Sequence, residues 1–264
     1  GYTKLIGRTW SLTAGQTDIY RCLRLTIPTD MYVTDIQAQA PNGTPHTVLS
    51  IAGANGTGGA DGEQDCSVQT LGMVMLYASG VGTSPLNFPS GVGVKIAAGT
   101  QIHLNLHLYN AADEAISGES AIWVKSQPTP TPTLAEMVFA GPIGQWSIDP
   151  GADTMQGTCS ITKAYTIFAL WPHMHKLATE QKIELVRGGV TTVLHDMPYQ
   201  FAEQKYWLQS PEIQLQANDK INVTCYYNNT TGGKVYFGDS SDDEMCFGGM
   251  YRYPAANSSL FCPL

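Results

Sequence analysis

The chain has 264 residues, enough for one large or two medium domains that each bury a core, and only 14% of them are charged. A formal charge of −8 with no basic run excludes a phosphate-backbone site, so no nucleic acid partner is expected. No apolar run approaches the roughly 18 to 20 residues needed to cross a bilayer, so no membrane partner is expected. The opening residues lack a charged-then-apolar leader, so the chain reads as a mature form.

Gly, Thr, Ser, Asn and Pro are abundant, which predicts frequent turns, few long helices and an all-β fold. Asp18 to Ile27 alternates as a strand, closed by Pro28 and Asp30, and Met31 to Gln39 reads as the next. Pro41 to Pro45 is a turn, and His46 opens the run Thr47 to Ala52. Gly53 to Gly62 is Gly-rich and predicts a surface loop. Leu71 to Tyr77 is apolar throughout, as in a strand buried on both faces, and Gly80 to Gly93 is a turn-rich connection.

Gln101 to Leu108 alternates strictly, with Ile102, Leu104, Leu106 and Leu108 on a core face and Gln101, His103, Asn105 and His107 opposite. At a strand's rise His103 and His107 lie about 13 Å apart, too far to share one ion while the strand is unbroken. The pattern fits a solvated sheet face as well as it fits a ligand-bearing one.

Gln127-Pro-Thr-Pro-Thr-Pro-Thr133 marks a domain boundary, because alternating prolines cannot donate ladder hydrogen bonds and favour an extended spacer. The expected division is residues 1–127, a spacer over 128–134, and residues 135–264. Beyond it, Gly157 to Trp171 reads as one long strand ending at Pro172. Lys182 to Val186 and Val190 to His195 flank Arg187-Gly188-Gly189 as a hairpin, and Ile213 to Leu215, Lys220 to Tyr227 and Lys234 to Phe237 continue the β pattern. Eight or more short strands per half predict two β-sandwiches.

Trp171-Pro-His-Met-His-Lys-Leu177 carries the chemistry. Alternate residues of a strand share a face, so His173 and His175 project together, and with the Met245 thioether they make a mixed site suited to copper rather than to zinc, magnesium or calcium. Six cysteines, far apart and without a Cys-x-x-Cys pair, fit three disulfides and an exported protein, secreted or periplasmic. A blue-copper arrangement using Cys246 with the two histidines and Met245 competes with that disulfide count.

Further features follow in order: His195-Asp196, Tyr199-Gln-Phe201 with Gln204, Ala217-Asn-Asp219, Val223-Thr-Cys225-Tyr226, Asp243-Glu-Met-Cys246 and Tyr251-Arg-Tyr-Pro254. Together with His173-Met-His175 they make residues 135 to 264 resemble the C-terminal domain of the copper type II, ascorbate-dependent monooxygenases, the family of peptidylglycine α-hydroxylating and dopamine β-monooxygenases. The first half matches more thinly, through Asp18 to Cys22, Thr44-Pro-His46, Gly91-Val-Gly93 and Leu104 to Tyr109.

The resemblance implies two tandem jelly-roll-like antiparallel β-sandwich domains, one or two copper ions, dioxygen, a small-molecule substrate and an external reductant such as ascorbate. It implies a catalytic copper held by His173, His175 and Met245. It also implies disulfides Cys225–Cys246, Cys159–Cys262 and Cys22–Cys66, and leaves Glu244 as a hydrogen-bond partner behind the ligands. The N-terminal, electron-transfer copper would draw on His46 and His107, with His103 or water as substitute, because Pro45 stands where the family has a further histidine. The family's peptide hydroxylases hold a carboxylate with an arginine and a tyrosine; those places are Trp171 and Gly249 here, so an aromatic or apolar substrate fits better than a glycine-extended peptide. The alternative is a single-copper carrier or sensor whose N-terminal site has decayed.

Overall fold

The computed structural model describes residues 1–52, 58–66, 73–256 and 260–262. The chain divides into two compact units, Gly1–Leu134 and Ala135–Leu264, and among the described residues every regular element is a strand. No helix among them is long and apolar enough to cross a membrane.

The first unit holds β1 (Thr3–Leu12), β2 (Ile19–Thr26), β3 (Met31–Gln39), β4 (His46–Ala52), β5 (Gly62–Asp65), β6 (Met73–Ser79), β7 (Leu86–Asn87), β8 (Val92–Ile96), β9 (Gln101–Leu108), β10 (Ile116–Gln127) and β11 (Thr133–Leu134). One sheet runs β1-β10-β3-β8-β11, with β7 beside β3, and the other runs β5-β2-β9-β4-β6. Residues 128–134 stay on this unit: Thr131 is buried, and Thr133 and Leu134 pair in parallel with Val92 and Gly93.

The second unit holds β12 (Glu136–Ala140), β13 (Ser147–Ile148), β14 (Gly151–Ser160), β15 (Tyr165–Met174), β16 (Ala178–Arg187), β17 (Val190–Pro198), β18 (Trp207–Leu215), β19 (Lys220–Asn229), β20 (Val235–Tyr236) and β21 (Cys246–Tyr253). Its two four-stranded sheets run β12-β21-β15-β18 and β14-β19-β16-β17, with β13 and β20 paired separately. Val138, Ile167, Leu170, Met174 and Met250 of the first sheet share one core with Ile183, Leu185, Ile221 and Val223 of the second, a sandwich-like packing. The expected all-β class is the observed one, with sheets that are antiparallel apart from the β8–β11 pair.

Several elements depart from the sequence reading. Gly157 to Trp171 is not one strand but parts of β14 and β15, which lie in different sheets. Residues 161–164 contain no glycine or proline to mark that corner; it is fixed from outside, by Ile161 N–H to the Asp219 carbonyl at 2.9 Å and Asn218 N–H to the Ile161 carbonyl at 2.8 Å. Nor does Pro172 end the strand. β18 pairs with β15 only as far as Leu170, whereas β21 pairs on to Met174, so the missing proline N–H faces a side with no partner strand.

The polar face of β9 is not solvated: His103, Asn105 and His107 are only 5%, 4% and 6% exposed. Of the expected strand from Leu71, residues 71 and 72 lie outside the described residues. β6 is buried on both faces only from Leu76, Val74 being 39% exposed. The expected loop at Gly53 to Gly62 lies outside the described residues over 53–57, is not strand over 58–61 and enters β5 at Gly62.

Candidate metal centre

The second unit's histidines are placed by the register of two neighbouring strands. In the β15–β21 ladder His173 stands opposite Phe247 and Met174 opposite Cys246, and His175 and Met245 are the next residues beyond the paired stretch. Directly opposed residues of an antiparallel pair share a face, and alternate residues along a strand do too. Met174 and Cys246 turn into the core, where Cys246 is bonded to Cys225, so strand alternation expects the flanking His173, His175 and Met245 on the opposite face. That disulfide removes the thiolate a blue-copper site would need.

Both rings are oriented by acceptors on the same nitrogen. His173 Nδ1 lies 2.8 Å from Gln204 Oε1 and His175 Nδ1 lies 3.1 Å from the Asp243 carbonyl. Each acceptor takes the Nδ1 proton, so in the neutral ring the lone pair is on Nε2. The rings meet edge to face with centroids 5.3 Å apart. Trp171 stacks on His173 at 4.8 Å, and Phe201 meets the edge of His175 at 5.9 Å. Burial pulls the His175 pKa down to about 4, against the opposing pull of the Asp243 and Ser240 carbonyls, so the ring is neutral at ordinary pH.

Three groups behind the ligands fix the backbone. The Tyr199 hydroxyl accepts the Met174 N–H at 3.1 Å and donates to the Met174 carbonyl at 2.7 Å, pinning the residue between the two histidines. Tyr227 donates its hydroxyl to the Met245 carbonyl at 2.8 Å. The fully buried Glu244 carboxylate accepts N–H groups from His175, Leu177 and Met245; burial pushes its carboxyl up to about 7 although those three donors pull it down. Tyr199, Phe201 and Gln204 stood in the sequence as matching features without roles, and no periodicity signals them, because all three reach the 173–175 stretch from the loop after β17.

In the first unit the β4–β9 ladder pairs His46 directly with His107. Their rings stack with centroids 5.5 Å apart and the two Nδ1 atoms lie 3.3 Å from each other. His107 Nε2 is 2.9 Å from Asp18 Oδ1, and Tyr20 stacks on the ring's other side at 4.9 Å. With the Nε2 proton given to Asp18, His107 turns an Nδ1 lone pair toward His46 Nδ1, which can meet it with its own N–H or share a cation with it. His103, four residues away on the same unbroken strand, is not part of this pair; it stands opposite Ser50 and Arg24.

All three disulfides implied by the resemblance are present: Cys22–Cys66, Cys159–Cys262 and Cys225–Cys246. Among the described residues no group of three or more His, Cys, Asp or Glu side chains is placed to hold a metal. The fit therefore rests on the thioether. A donor set of two imidazoles and a thioether suits copper, whereas zinc, calcium and magnesium favour thiolate or oxygen donors.

The departures at Trp171 and Gly249 are one feature, since these residues face each other across the β15–β21 ladder. A Cβ on Gly249 would lie 2.7 Å from the Trp171 carbonyl oxygen and 3.1 Å from its ring. The indole covers the place where a second side chain would stand, and its buried N–H makes no hydrogen bond.

No curated protein matches the chain significantly. Solved structures that align with it include the major capsid protein P2 of bacteriophage PM2, at 10% identity and TM-score 0.33 over 96% of this chain and 100% of that one. Infectious bursal disease virus Gx strain aligns at 10% and 0.25 over 98% and 75%, and a Paenibacillus xanthan lyase at 10% and 0.22 over 97% and 25%. Likenesses this weak carry no argument about function. The family model described as copper type II ascorbate-dependent monooxygenase, C-terminal domain, matches residues 136–262, which is nearly the whole second unit. The second unit is therefore similar to the C-terminal domain of the copper type II ascorbate-dependent monooxygenases.

Proposed function

We propose that the chain is an exported copper-dependent monooxygenase that hydroxylates an activated C–H of a small substrate, using dioxygen and an external reductant such as ascorbate. The observation that supports this reading is the β15–β21 register, which ends at Met174 opposite Cys246 with His175 and Met245 as the next residue of each segment, and the His173 and His175 rings meet edge to face at 5.3 Å. Copper bound there supplies the one-electron redox and dioxygen chemistry that C–H hydroxylation requires.

The chain's own residues do the positioning. Gln204 and the Asp243 carbonyl hold the rings with Nε2 as ligand atom, and Tyr199, Tyr227 and Glu244 fix the backbone that carries all three donors. Trp171 walls the site beside His173, and its unpartnered indole N–H is a donor for a neutral oxygen of a substrate. No cation occupies either departed place, so a carboxylate-ended peptide has no counter-charge there, and an aromatic or apolar molecule is the better fit. His46 and His107, with converging Nδ1 atoms, are the candidate holders of a second copper in the first unit.

Copper per chain after reconstitution tests the reading, in wild type, Met245→Leu and His107→Ala. Two ions in wild type, one lost in each variant, with oxygen uptake dependent on an aromatic or apolar substrate, is the expected result. One ion, lost only in Met245→Leu, with no uptake, would instead assign a single-copper carrier.

A further inference from the structure

His103 has no place in either centre described above, yet it is buried and its Nδ1 has no hydrogen-bond partner. The five-stranded sheet carries one row of directly opposed residues across four strands: Arg24 on β2, His103 on β9, Ser50 on β4 and Met75 on β6. Opposed residues share a face, and Met73, two residues from Met75 on β6, shares it too. Ser50 Oγ donates to Met73 Sδ at 3.4 Å, so a second thioether reaches the same serine that separates His103 from Met75.

We propose that His103, Met73 and Met75 form a further soft-metal site in the first unit that takes monovalent copper. One imidazole nitrogen and two thioethers are all neutral and include no thiolate or carboxylate, a set that selects Cu(I) over zinc, calcium or magnesium. Arg24, next to His103 in the row, disfavours a divalent ion more than a monovalent one because the repulsion scales with charge. A buried imidazole nitrogen left unpaired is destabilising, and a bound cation removes that penalty. The step is binding alone, with no change of oxidation state. The site lies four residues along β9 from His107 and is independent of the catalytic reading.

The test uses the full chain with its nine methionines carbon-13 labelled at the methyl group, titrated with Ag(I) as a redox-inert stand-in for Cu(I). Met73 and Met75 are assigned through Met73→Leu and Met75→Leu. Both methyl signals are expected to shift and saturate together, in wild type and equally in Met245→Leu, and to stop responding in His103→Gln. Should His103→Gln fail to fold, the Met73→Leu/Met75→Leu double variant is expected to bind one Ag(I) fewer per chain by equilibrium dialysis. Met73 and Met75 signals unmoved by excess Ag(I) would overturn the proposal and leave a water as the partner of Nδ1. The Met245 signal reports separately on the catalytic centre, so either reading can fail alone.

Discussion

Glu244 holds His175 by the backbone rather than by the ring: Oε2 accepts the His175 N–H at 3.0 Å, while Oε1 accepts that of Leu177 at 2.7 Å. The same carboxylate takes the Met245 N–H at 3.3 Å, so one side chain spans the two segments that bring the nitrogen and sulfur donors. Glu244→Gln keeps the size but points an amide NH2 at backbone donors. It is expected to cost about 1–3 kcal/mol in urea unfolding. Copper affinity should fall about 10–100-fold in a competition titration. Unchanged affinity would show that the ligand backbone holds its place without this carboxylate.

Tyr199→Phe removes both hydrogen bonds to Met174 and leaves the ring volume intact. Two buried backbone groups then lose their partner, and the second unit should lose about 1–3 kcal/mol. Copper retention should weaken by about tenfold, because the residue between the histidines is no longer pinned. Equilibrium unfolding and copper competition measure the two effects separately.

Trp171→Phe deletes the indole N–H and keeps an aromatic wall beside His173. Copper per chain is expected to stay at the wild-type value while KM for the substrate rises, with kcat changing less. Gly249→Ala probes the facing position: its Cβ meets a backbone carbonyl that cannot yield, so about 1–3 kcal/mol of stability should be lost. A Gly249→Ala chain as stable as wild type would mean that the β15 backbone and the indole give way to the added methyl.

Acid should destabilise the first unit through His103. Burial, helped by Arg24, holds its imidazole at about 4, below the ordinary value of 6.5. As pH falls from 6.5 to 4 the unfolded chain takes up a proton that the folded chain refuses, so stability is lost on acidification, by up to about 3 kcal/mol. Urea midpoints at pH 7 and pH 5 read this slope, and His103→Gln should flatten it. His175, held at about 4 mainly by burial, tilts the metal-free second unit in the same direction.

Much of this organisation was legible in the sequence, for particular reasons. Strict alternation located Gln101 to Leu108, and the Gly188-Gly189 turn, with both residues at positive φ, located the β16–β17 hairpin. The His-x-His spacing predicted two rings on one face, because a strand's period of two is independent of its surroundings. The β14–β15 corner was illegible, since its chain reversal is held by hydrogen bonds from residues 218 and 219 rather than by local breakers. Burial of the β9 polar face was illegible too: alternation distinguishes two faces but not whether the polar one is covered. Partnerships such as Gln204 with His173 and Tyr199 with Met174 depend on where a loop folds back, which no local pattern encodes.

The register that joins β15 to β21 also sets an order of events during synthesis. His175 leaves the ribosome 69 residues ahead of Glu244 and the neighbouring sulfur donor. Until β21 docks, a nascent chain offers two imidazoles on an unsupported strand, with neither thioether nor carboxylate behind them. On the proposed reading the full donor set exists only once the end of the domain has been made and its strand has paired, and metal loading would be a checkpoint on completed folding rather than a step along the way.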